Sequence, residues 1–489
     1  MSEFDKDLQS IQQARQMMQL ARAAQLEWAT ASQAEVDRVC AAMADVAYQA
    51  SERLGRMAAE ETGFGVPEHK KLKNEFASKN VWESIKNIKT VGVVNHDAQR
   101  KIYDIAWPMG IVAALTPSTN PTSTTINKTL ISVKARNAIV VAPHPSAVKS
   151  CLETVQIMAE AAVAAGAPKN LVQCMSYITL QGTDELLSHK YIGVILATGG
   201  TPMVRAAHSK GKPAYGVGPG NVPAYVDRSA DLEKAARYIV ASKAFDHSVI
   251  CATEQAVVAD KPIAERLQQL MQNEGAYFMD EDQTQKIREL LFHPNGAINT
   301  DTVGKSAHVL AGMAGFQIPP SARILVAKLH QVGPEEPLSR EKLTTVLGWY
   351  EEDGWELGCD RALEMIYFGG RGHSIVIHAT DDDVIMQFGL EKPVFRIGVN
   401  TMGTLGMIGL TTGVMPSLTL GSGGIGGSIT GDNITVYHLF NLKRLAYETQ
   451  APPEEAMHPG TVPAGPLFAP EANDLEEMVK DVVDEILRG

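Results

Sequence analysis

The sequence contains few cysteines and lacks an excess of basic residues, and each absence excludes a class of protein. Its 489 residues include five cysteines, none in a CxxC pair, which indicates a reducing compartment rather than a disulfide-stabilised fold. Lys and Arg number 44 against 56 Asp and Glu, a net charge of −12. This argues against a nucleic-acid partner, because phosphate contacts need a clustered basic surface.

Long apolar runs and metal-binding motifs are also absent. Met1 to Gln13 is charged and polar, unlike a secretory signal. The longest charge-free stretch, between Arg396 and Asp432, has 35 residues, but eleven are glycine, whereas a spanning helix needs about 20 mainly apolar residues. No HExxH motif, Cys/His cluster or EF-hand loop occurs. We therefore expect a cytoplasmic protein with no membrane partner and no metal.

The length predicts two or three domains. The first 100 residues have helical periodicity, and after them short β-rich runs alternate with helical stretches, which is typical of parallel sheets covered by helices. Two such series are present, so we predict two Rossmann-like α/β domains with a cleft between them. The strand candidates are Met109–Leu115, Asn137–Ala142, Leu171–Met175 and Tyr191–Ala197, then Gln255–Ala259, Ala322–Leu329, Thr344–Tyr350, His373–Ala379 and Phe395–Asn400.

The last 39 residues differ from the rest of the chain. Six prolines in 451–472 predict a semi-rigid linker. Residues 473–489 predict a short amphipathic helix with a complete apolar stripe. A helix this short is marginal alone in water, so the stripe needs a partner. It either docks onto its own body or a sister subunit, or is a detachable docking peptide.

Four segments could carry chemistry. Ala197–Gly200 follows a strand and precedes a helix, where backbone N–H groups can approach a phosphate. Gly216–Asn221 is either a ligand loop or a crossover between the two series. Asn120 lies in the turn Thr116–Pro121 and could donate to an oxyanion or simply close the turn. Cys251 precedes a strand at the opening of the second series and is either a nucleophile or an inert buried thiol.

At these segments the sequence resembles the aldehyde dehydrogenase superfamily, specifically its CoA-acylating branch, over residues of about 15–450. The resemblance is carried by Leu115–Thr124, Ala142–Ser146, Gly216–Pro223, the Cys251 segment and Glu336–Leu343. It implies an NAD(P)-binding domain with N-terminal helices (1–227), a catalytic domain (228–415), and a return to the cofactor domain with an oligomerisation element (416–450), the element itself near Ile429–Glu448. The linker (451–472) and the amphipathic helix (473–489) follow.

The resemblance also implies roles for individual residues. Cys251 matches the nucleophile, and Asn120 matches the side chain that holds the oxyanion together with the cysteine N–H. Glu341 matches the glutamate that holds the nicotinamide ribose. The remaining cofactor-binding matches are Thr116, His144, Pro145, Thr198, Gly199 and Gly200. His144 stands where hydrolytic relatives usually carry a lysine, so the choice between NAD and NADP stays open.

One departure from the hydrolytic pattern favours acyl transfer. Hydrolytic members carry a glutamate that activates water, and the aligned position here is Val217. A general base contributes about 10²–10⁴-fold, whereas the thiol of CoA is partly ionised and needs less help. We expect a small aldehyde to be oxidised to its acyl-CoA. A hydrolytic semialdehyde dehydrogenase and a non-catalytic scaffold of the same fold are the alternatives. A bifunctional aldehyde–alcohol dehydrogenase would need a further domain after residue 450.

The resemblance further implies partners. Similar acylating enzymes work inside bacterial microcompartments and bind the shell through a Pro-rich linker and a short amphipathic helix, the design of residues 451–489. We therefore expect a shell protein to bind residues 473–489, and a homodimer or dimer of dimers. Acetaldehyde, propionaldehyde, lactaldehyde, succinate semialdehyde and sulfoacetaldehyde all suit such relatives, and an anionic one would need an Arg or Lys at the pocket mouth.

Overall fold

The computed structural model describes residues 5–457 together with Glu477, Val479 and Lys480. Of the Pro-rich linker predicted over 451–472 only residues 451–457 are described, and of the amphipathic helix predicted over 473–489 only these three positions are described; the rest of both predictions lies outside the described residues. The strands are β1 Gly92–Asp97, β2 Ile102–Pro108, β3 Ile111–Thr116, β4 Ala138–Pro143, β5 Val172–Cys174, β6 Ile192–Thr198, β7 Ala214–Val217, β8 Val222–Val226, β9 Glu254–Asp260, β10 Ala276–Phe278, β11 Ile324–Lys328, β12 Val346–Glu352, β13 Ile375–His378, β14 Ile397–Val399 and β15 Phe440–Ala446.

The α-helices alternate with these strands after an all-helical start. They are α1 Lys6–Trp28, α2 Gln33–Gln49, α3 Ser51–Thr62, α4 Pro67–Glu75, α5 Val81–Ile85, α6 Pro121–Lys134, α7 Val148–Ala164, α8 Leu180–Ser188, α9 Thr201–His208, α10 Leu232–Ala244, α11 Ala264–Asn273, α12 Glu281–Leu291, α13 Ala307–Met313, α14 Trp355–Phe368, α15 Asp382–Glu391, α16 Gly403–Gly406 and α17 Glu454–Met457. The predicted α/β class is confirmed.

The first large sheet is parallel and five-stranded, in the order β5-β4-β3-β6-β7. Every residue of β3 and β4 is buried, because helices cover both faces and only continuous apolar runs suit such strands. The chain moves outward in one direction from β3 through β4 to β5 and in the other through β6 to β7. Strand order therefore reverses between β3 and β6, and ligands of doubly wound sheets bind at the carboxyl ends of the strands at such a point.

The second large sheet is parallel and seven-stranded, in the order β10-β11-β12-β9-β8-β13-β14. Two buried apolar clusters cover its faces. A third cluster, which contains Val217, Ile250, Ile408 and Leu420, lies behind the Cys251 segment. The chain enters this sheet at β8, so residues 222–226 lie in the second sheet although they precede position 227.

Two parts of the helix and strand prediction were wrong. Residues 92–97 form β1 although the first 100 residues were expected to be helical, and β2, β7, β8, β10 and β15 were not predicted. β1, β2 and β15 form a small three-stranded sheet, in which β15 is almost entirely exposed. By its contacts the chain divides into a large unit, residues 1–94 and 105–443, which holds both large sheets, and a small unit, residues 95–104 and the chain from 444 onward.

Candidate active site

A cleft of about 250 Å³ lies where the two large sheets face each other within the large unit. Its walls come from the turns that follow β3 and β6 and from the segments that precede β8 and β9. It thus occupies the carboxyl ends of the first sheet at its strand-order reversal and the amino ends of the second. Several residues singled out from the sequence share this cleft: Asn120, His144, Thr198, Gly199, Gly200, Val217, Cys251 and Glu341.

Cys251 differs from the other cysteines in its exposure. It is partly exposed on the cleft wall, whereas Cys40, Cys151, Cys174 and Cys359 are buried. Burial, followed by the nearby Glu341 carboxylate, raises the pKa of the Cys251 thiol to about 12. The resting thiol is therefore protonated at neutral pH, and a nucleophilic attack by this sulfur requires a group that takes its proton.

His373 supplies such a group, and the sequence analysis missed it. Its Nε2 lies 3.2 Å from Cys251 Sγ, and its Nδ1 lies 3.1 Å from Ser374 Oγ. Burial, followed by the Arg396 guanidinium, lowers the pKa of His373 to about 3, so the imidazole is neutral at pH 7 while the thiol is protonated. A thiolate 3.2 Å from Nε2 would favour the protonated ring, so the thiol and the imidazole act as a coupled pair that shares one proton. With the ring hydrogen on Nδ1 donated to Ser374, Nε2 is a free acceptor facing the thiol. His373 opens a predicted strand and carries no motif, so nothing local pointed to it.

Asn120 connects the first sheet to the cysteine segment. It stands at the N-cap of α6, directly after the turn that follows β3. Its Nδ2 donates to the Val249 carbonyl oxygen at 2.9 Å, two residues before Cys251. The Asn120 amide and the Cys251 sulfur therefore lie on neighbouring parts of one wall, where an amide N–H can stabilise an oxyanion that forms on attack by the sulfur.

Another part of the cleft lining has the features of a phosphate-binding turn. Gly200 is the N-cap of α9, and Thr198 and Gly199 complete the turn from β6. A helix N-terminus beside a cleft carries positive partial charge and suits a pyrophosphate. His144 is half-buried, and burial lowers its pKa, so it is a neutral side chain on this wall. These residues could hold a nicotinamide dinucleotide, which would supply a hydride acceptor.

Two residues implied by the resemblance to bind cofactor do not line the cleft. Thr116 is fully buried, and its hydroxyl lies 3.6 Å from Cys151 Sγ, because this last residue of β3 turns its side chain toward α7. Pro145 is exposed and begins a short 3₁₀ turn. Neither side chain lines the cleft, and the cofactor-binding roles of Thr116 and Pro145 stay predictions.

The carboxylates around the cleft bear on whether water could be activated. Val217 is buried in the wall and offers no base. Among the described lining residues Glu341 alone is acidic, and its Oε1 accepts the Gly220 N–H at 2.9 Å. Burial raises the pKa of Glu341 to about 7. The position expected to carry the water-activating glutamate is thus apolar, and the remaining carboxylate is held by backbone.

The described part of the chain contains neither a metal-binding cluster nor a membrane-spanning helix. Within residues 5–457 and the three described tail positions, no group of His, Cys, Asp and Glu is arranged to hold a metal ion. In the same part of the chain, no helix is both long and apolar enough to cross a bilayer.

This fold is shared with known proteins of one family. The chain belongs to the aldehyde dehydrogenase family, whose profile matches residues 7–284. It is 41% identical over 80% of its length to aldehyde-alcohol dehydrogenase 2 of Entamoeba histolytica, and it spans about half the length of that relative (46%). It is 35% identical to the succinate-semialdehyde dehydrogenase (acetylating) of Clostridium kluyveri, covering 88% of this chain and 95% of that one.

Two solved structures are also similar. An acetylating aldehyde dehydrogenase from Geobacillus thermoglucosidasius superposes with a TM-score of 0.91 at 49% identity, over 92% of this chain and 99% of that one. A propionaldehyde dehydrogenase from the Clostridium phytofermentans fucose utilisation bacterial microcompartment superposes with a TM-score of 0.81 at 29% identity, over 89% and 97%.

Proposed function

We propose that this protein is a CoA-acylating aldehyde dehydrogenase, which oxidises a small aldehyde to its acyl-CoA with NAD or NADP. The observation that carries the proposal is the shared cleft. The cleft is lined by the Cys251 thiol, by the Asn120 amide and by a glycine turn at a helix N-terminus, and the neutral imidazole of His373 contacts the thiol. Val217 stands where hydrolytic members of the family carry a water-activating carboxylate. The similarity to acetylating relatives supports the same reaction.

Each residue has a defined task in this reaction. Cys251 Sγ attacks the aldehyde carbon while His373 Nε2 takes the thiol proton. The amide of Asn120 and the Cys251 N–H donate to the oxyanion. A nicotinamide dinucleotide held by Thr198, Gly199 and Gly200 would supply the acceptor for the hydride, whose loss leaves a thioester on Cys251, and His373 then releases its proton to solvent. The CoA thiol gives its proton to His373 Nε2 as its sulfur attacks the thioester, and the oxyanion re-forms at the same donors. His373 returns this proton to Cys251 Sγ as the bond between the acyl carbon and Cys251 breaks.

The fate of the thioester separates acyl transfer from hydrolysis. With aldehyde and NAD but no CoA, we expect a burst of about one equivalent of NADH followed by slow turnover, because no base activates water. Sustained free-acid formation would instead support a hydrolytic enzyme that uses Glu341, and Glu341→Gln would then abolish the acid. Cys251→Ala should abolish NADH formation from aldehyde plus CoA, and retention of most of the rate would refute the assignment.

We further propose that the aldehyde is short and uncharged. Among the described lining residues there is no Lys or Arg, and the wall around Cys251 includes Ile250, Ile408, Leu418 and Leu420. The guanidinium of Arg396 cannot serve an anion, because it already donates to the carbonyls of His373 (2.8 Å) and Gly431 (2.7 Å) among others. A charged substrate would therefore enter this wall without a partner, which is costly.

A CoA-dependent rate survey across five aldehydes tests this. We expect kcat/KM for acetaldehyde, propionaldehyde and lactaldehyde to exceed that for succinate semialdehyde and sulfoacetaldehyde by about tenfold or more, the cost of one unpaired charge being at least about 1.4 kcal/mol. Running each with NAD and with NADP identifies the cofactor. A preference for either anion would refute the uncharged-substrate proposal and leave the acylating reaction in place.

We also propose a shell-protein partner and a homo-oligomeric assembly. The linker and apolar stripe of the tail and the likeness to a microcompartment enzyme support a shell partner for residues 473–489. We expect a shell protein to co-purify with the full chain and not with a chain ending at 450.

A dimer or dimer of dimers is supported by large exposed apolar side chains at Ile429, Tyr437, Leu442 and Leu445. Light scattering would measure the size of this assembly.

A further inference from the structure

Three charged side chains are buried directly behind the proposed oxyanion site. Lys70 and Lys73 lie on α4, and Asp246 lies between α10 and the Cys251 segment. They are 2%, 1% and 0% exposed. We call them the Lys–Asp cluster. Charged side chains are almost never this buried unless they are paired, so the cluster must repay its desolvation through specific contacts.

The two lysines hold both sides of the cleft wall. Lys73 Nζ donates to Asn120 Oδ1 and to Asp246 Oδ2. Lys70 Nζ donates to the Thr119 carbonyl at 3.0 Å and to Asp246 Oδ2 at 3.2 Å. A purely structural ion pair with one carboxylate would need one lysine. In this cluster the second positive charge is instead stabilised by the backbone carbonyl oxygen of Thr119 and the side-chain amide oxygen of Asn120.

The contact with Lys73 fixes which way the Asn120 amide points. Burial lowers the pKa of Lys73 to about 7, and the Asp246 carboxylate opposes this shift and favours the ammonium form. An ammonium group can only donate, so the amide oxygen faces it and the amide nitrogen faces away. The nitrogen donates one hydrogen to the Val249 carbonyl, which can only accept. Its second hydrogen has only a 3.3 Å contact with Thr119 Oγ1 and is the one available to an oxyanion. An ammonium on the amide oxygen also polarises the amide and makes its N–H groups stronger donors.

The carboxylate of the cluster holds the approach to Cys251. Asp246, His247 and Ser248 have φ of 47°, 50° and 68°, three successive non-glycine residues in the left-handed region. Such backbone persists only where the surroundings hold it. Asp246 Oδ1 accepts the Val66 N–H at 2.6 Å, while Oδ2 accepts both lysines. The segment before α4 thus fixes the first residue of the turn that leads to the cysteine.

We propose that Lys73 is a positioning residue, which orients and polarises the Asn120 amide so that it can donate to the oxyanion. Asp246 fixes the position of Lys73 and of the turn that leads to Cys251. This rests on the proposed function of Asn120 as an oxyanion donor. Lys73 itself touches neither substrate nor cofactor and acts through Asn120.

A double-mutant cycle tests the proposal. Lys73→Met keeps the length of the side chain and leaves Asp246 paired with Lys70. We expect it to lower kcat at least about tenfold, with KM for the aldehyde changed less than about threefold, because the lost interaction is made to the transition state. Asn120→Ala should lower kcat about 10²–10³-fold. In that background Lys73→Met should change kcat less than about threefold, since its route is already removed.

The control is Lys134→Met. Lys134 is also buried and pairs with Asp37, but it lies at the other end of α6 from Asn120, about 20 Å along the helix. Its kcat should stay within about threefold of the parent. Circular dichroism and thermal unfolding monitor folding of all variants. If Lys73→Met does not fold, Lys73→Gln is carried through the same cycle, with a loss of at least about threefold expected beside Asn120 and none beside Asn120→Ala.

The outcomes separate the two levels of the proposal. An unchanged kcat in the folded Lys73 variant, or equal losses in both backgrounds, overturns the positioning role while Asn120 keeps its own. An unchanged kcat in Asn120→Ala alone overturns the oxyanion assignment in the proposed function.

Discussion

Placing a carboxylate at Val217 should give the proposed enzyme a faster hydrolysis of its thioester. Val217 is buried and lines the same cleft as Cys251, and the family resemblance implies that hydrolytic members carry their glutamate at this position. In Val217→Glu a carboxylate would reach the water that approaches the acylated cysteine. A general base contributes about 10²–10⁴-fold, so acid formation without CoA should rise by about that factor.

The pH dependence and the stability cost can be worked from neighbouring carboxylates. Burial raises the pKa of Glu341 and of Glu254 to about 7, from a usual value of 4.5. An introduced carboxyl should behave similarly, so acid formation should increase as pH rises through about 7, where the base becomes ionised. The same shift destabilises the fold by about 3 kcal/mol, at about 1.4 kcal/mol per pH unit. The cost is absent below about pH 4, grows to about pH 7 and is constant above it, and a total stability of about 5–15 kcal/mol tolerates it.

The assay compares Val217→Glu with Val217→Gln, which has the same shape and no base. Free acid and NADH are followed at steady state with aldehyde and NAD in the absence of CoA, and unfolding is followed from pH 5 to 9. Folded Val217→Glu that forms acid no faster than Val217→Gln would refute the idea that a missing base is what directs the acyl group to CoA.

Three further outcomes are expected. His373→Gln should lower kcat about 10²-fold, as measured by initial rates. Because the pKa of His373 is about 3, kcat/KM of the parent protein should not fall between pH 7 and pH 5. A fall in kcat/KM with a midpoint near pH 6.5 would contradict this. Alkylation of Cys251 by iodoacetamide, followed by mass spectrometry, should outpace alkylation of the other four thiols, because Cys251 is partly exposed and the others are buried; equal rates at the five thiols would refute that. In thermal unfolding, Gly65→Ala should destabilise the fold by at least about 1 kcal/mol more than Gly211→Ala. Both glycines have positive φ, but only at Gly65 would an added Cβ meet another atom, Asp246 Oδ1 at 2.0 Å. Equal losses of stability in the two variants would contradict this.

The buried parallel strands were readily predicted from the sequence. β3, β4 and β6 are continuous apolar runs bounded by turn residues, because both faces of such strands are covered and each side chain must be apolar. β7 was not predicted, because a four-residue strand that contains glycine has no such signature. β1 was missed for the opposite reason: it is mostly exposed and carries polar residues.

The site was predictable only where its residues lie in recognisable segments. Cys251 and Asn120 stood out through the family resemblance, whereas spacing alone left each with an ordinary structural interpretation. His373 lies 122 residues from Cys251, and only the tertiary fold brings them together. Lys70 and Lys73 belong to a strongly charged helix, which typically indicates a solvated face, so their burial could not be foreseen.

The position of α4 has a practical consequence for engineering. By sequence it belongs to the arm that precedes the first sheet, yet its lysines pair with a carboxylate more than 170 residues further along the chain. A chimera that joins the N-terminal helices of one homologue to the two large sheets of another would combine Lys70 and Lys73 from one protein with Asp246 from a different one. Residues 65–73 and residues 246–251 should therefore be taken from the same homologue in any chimera.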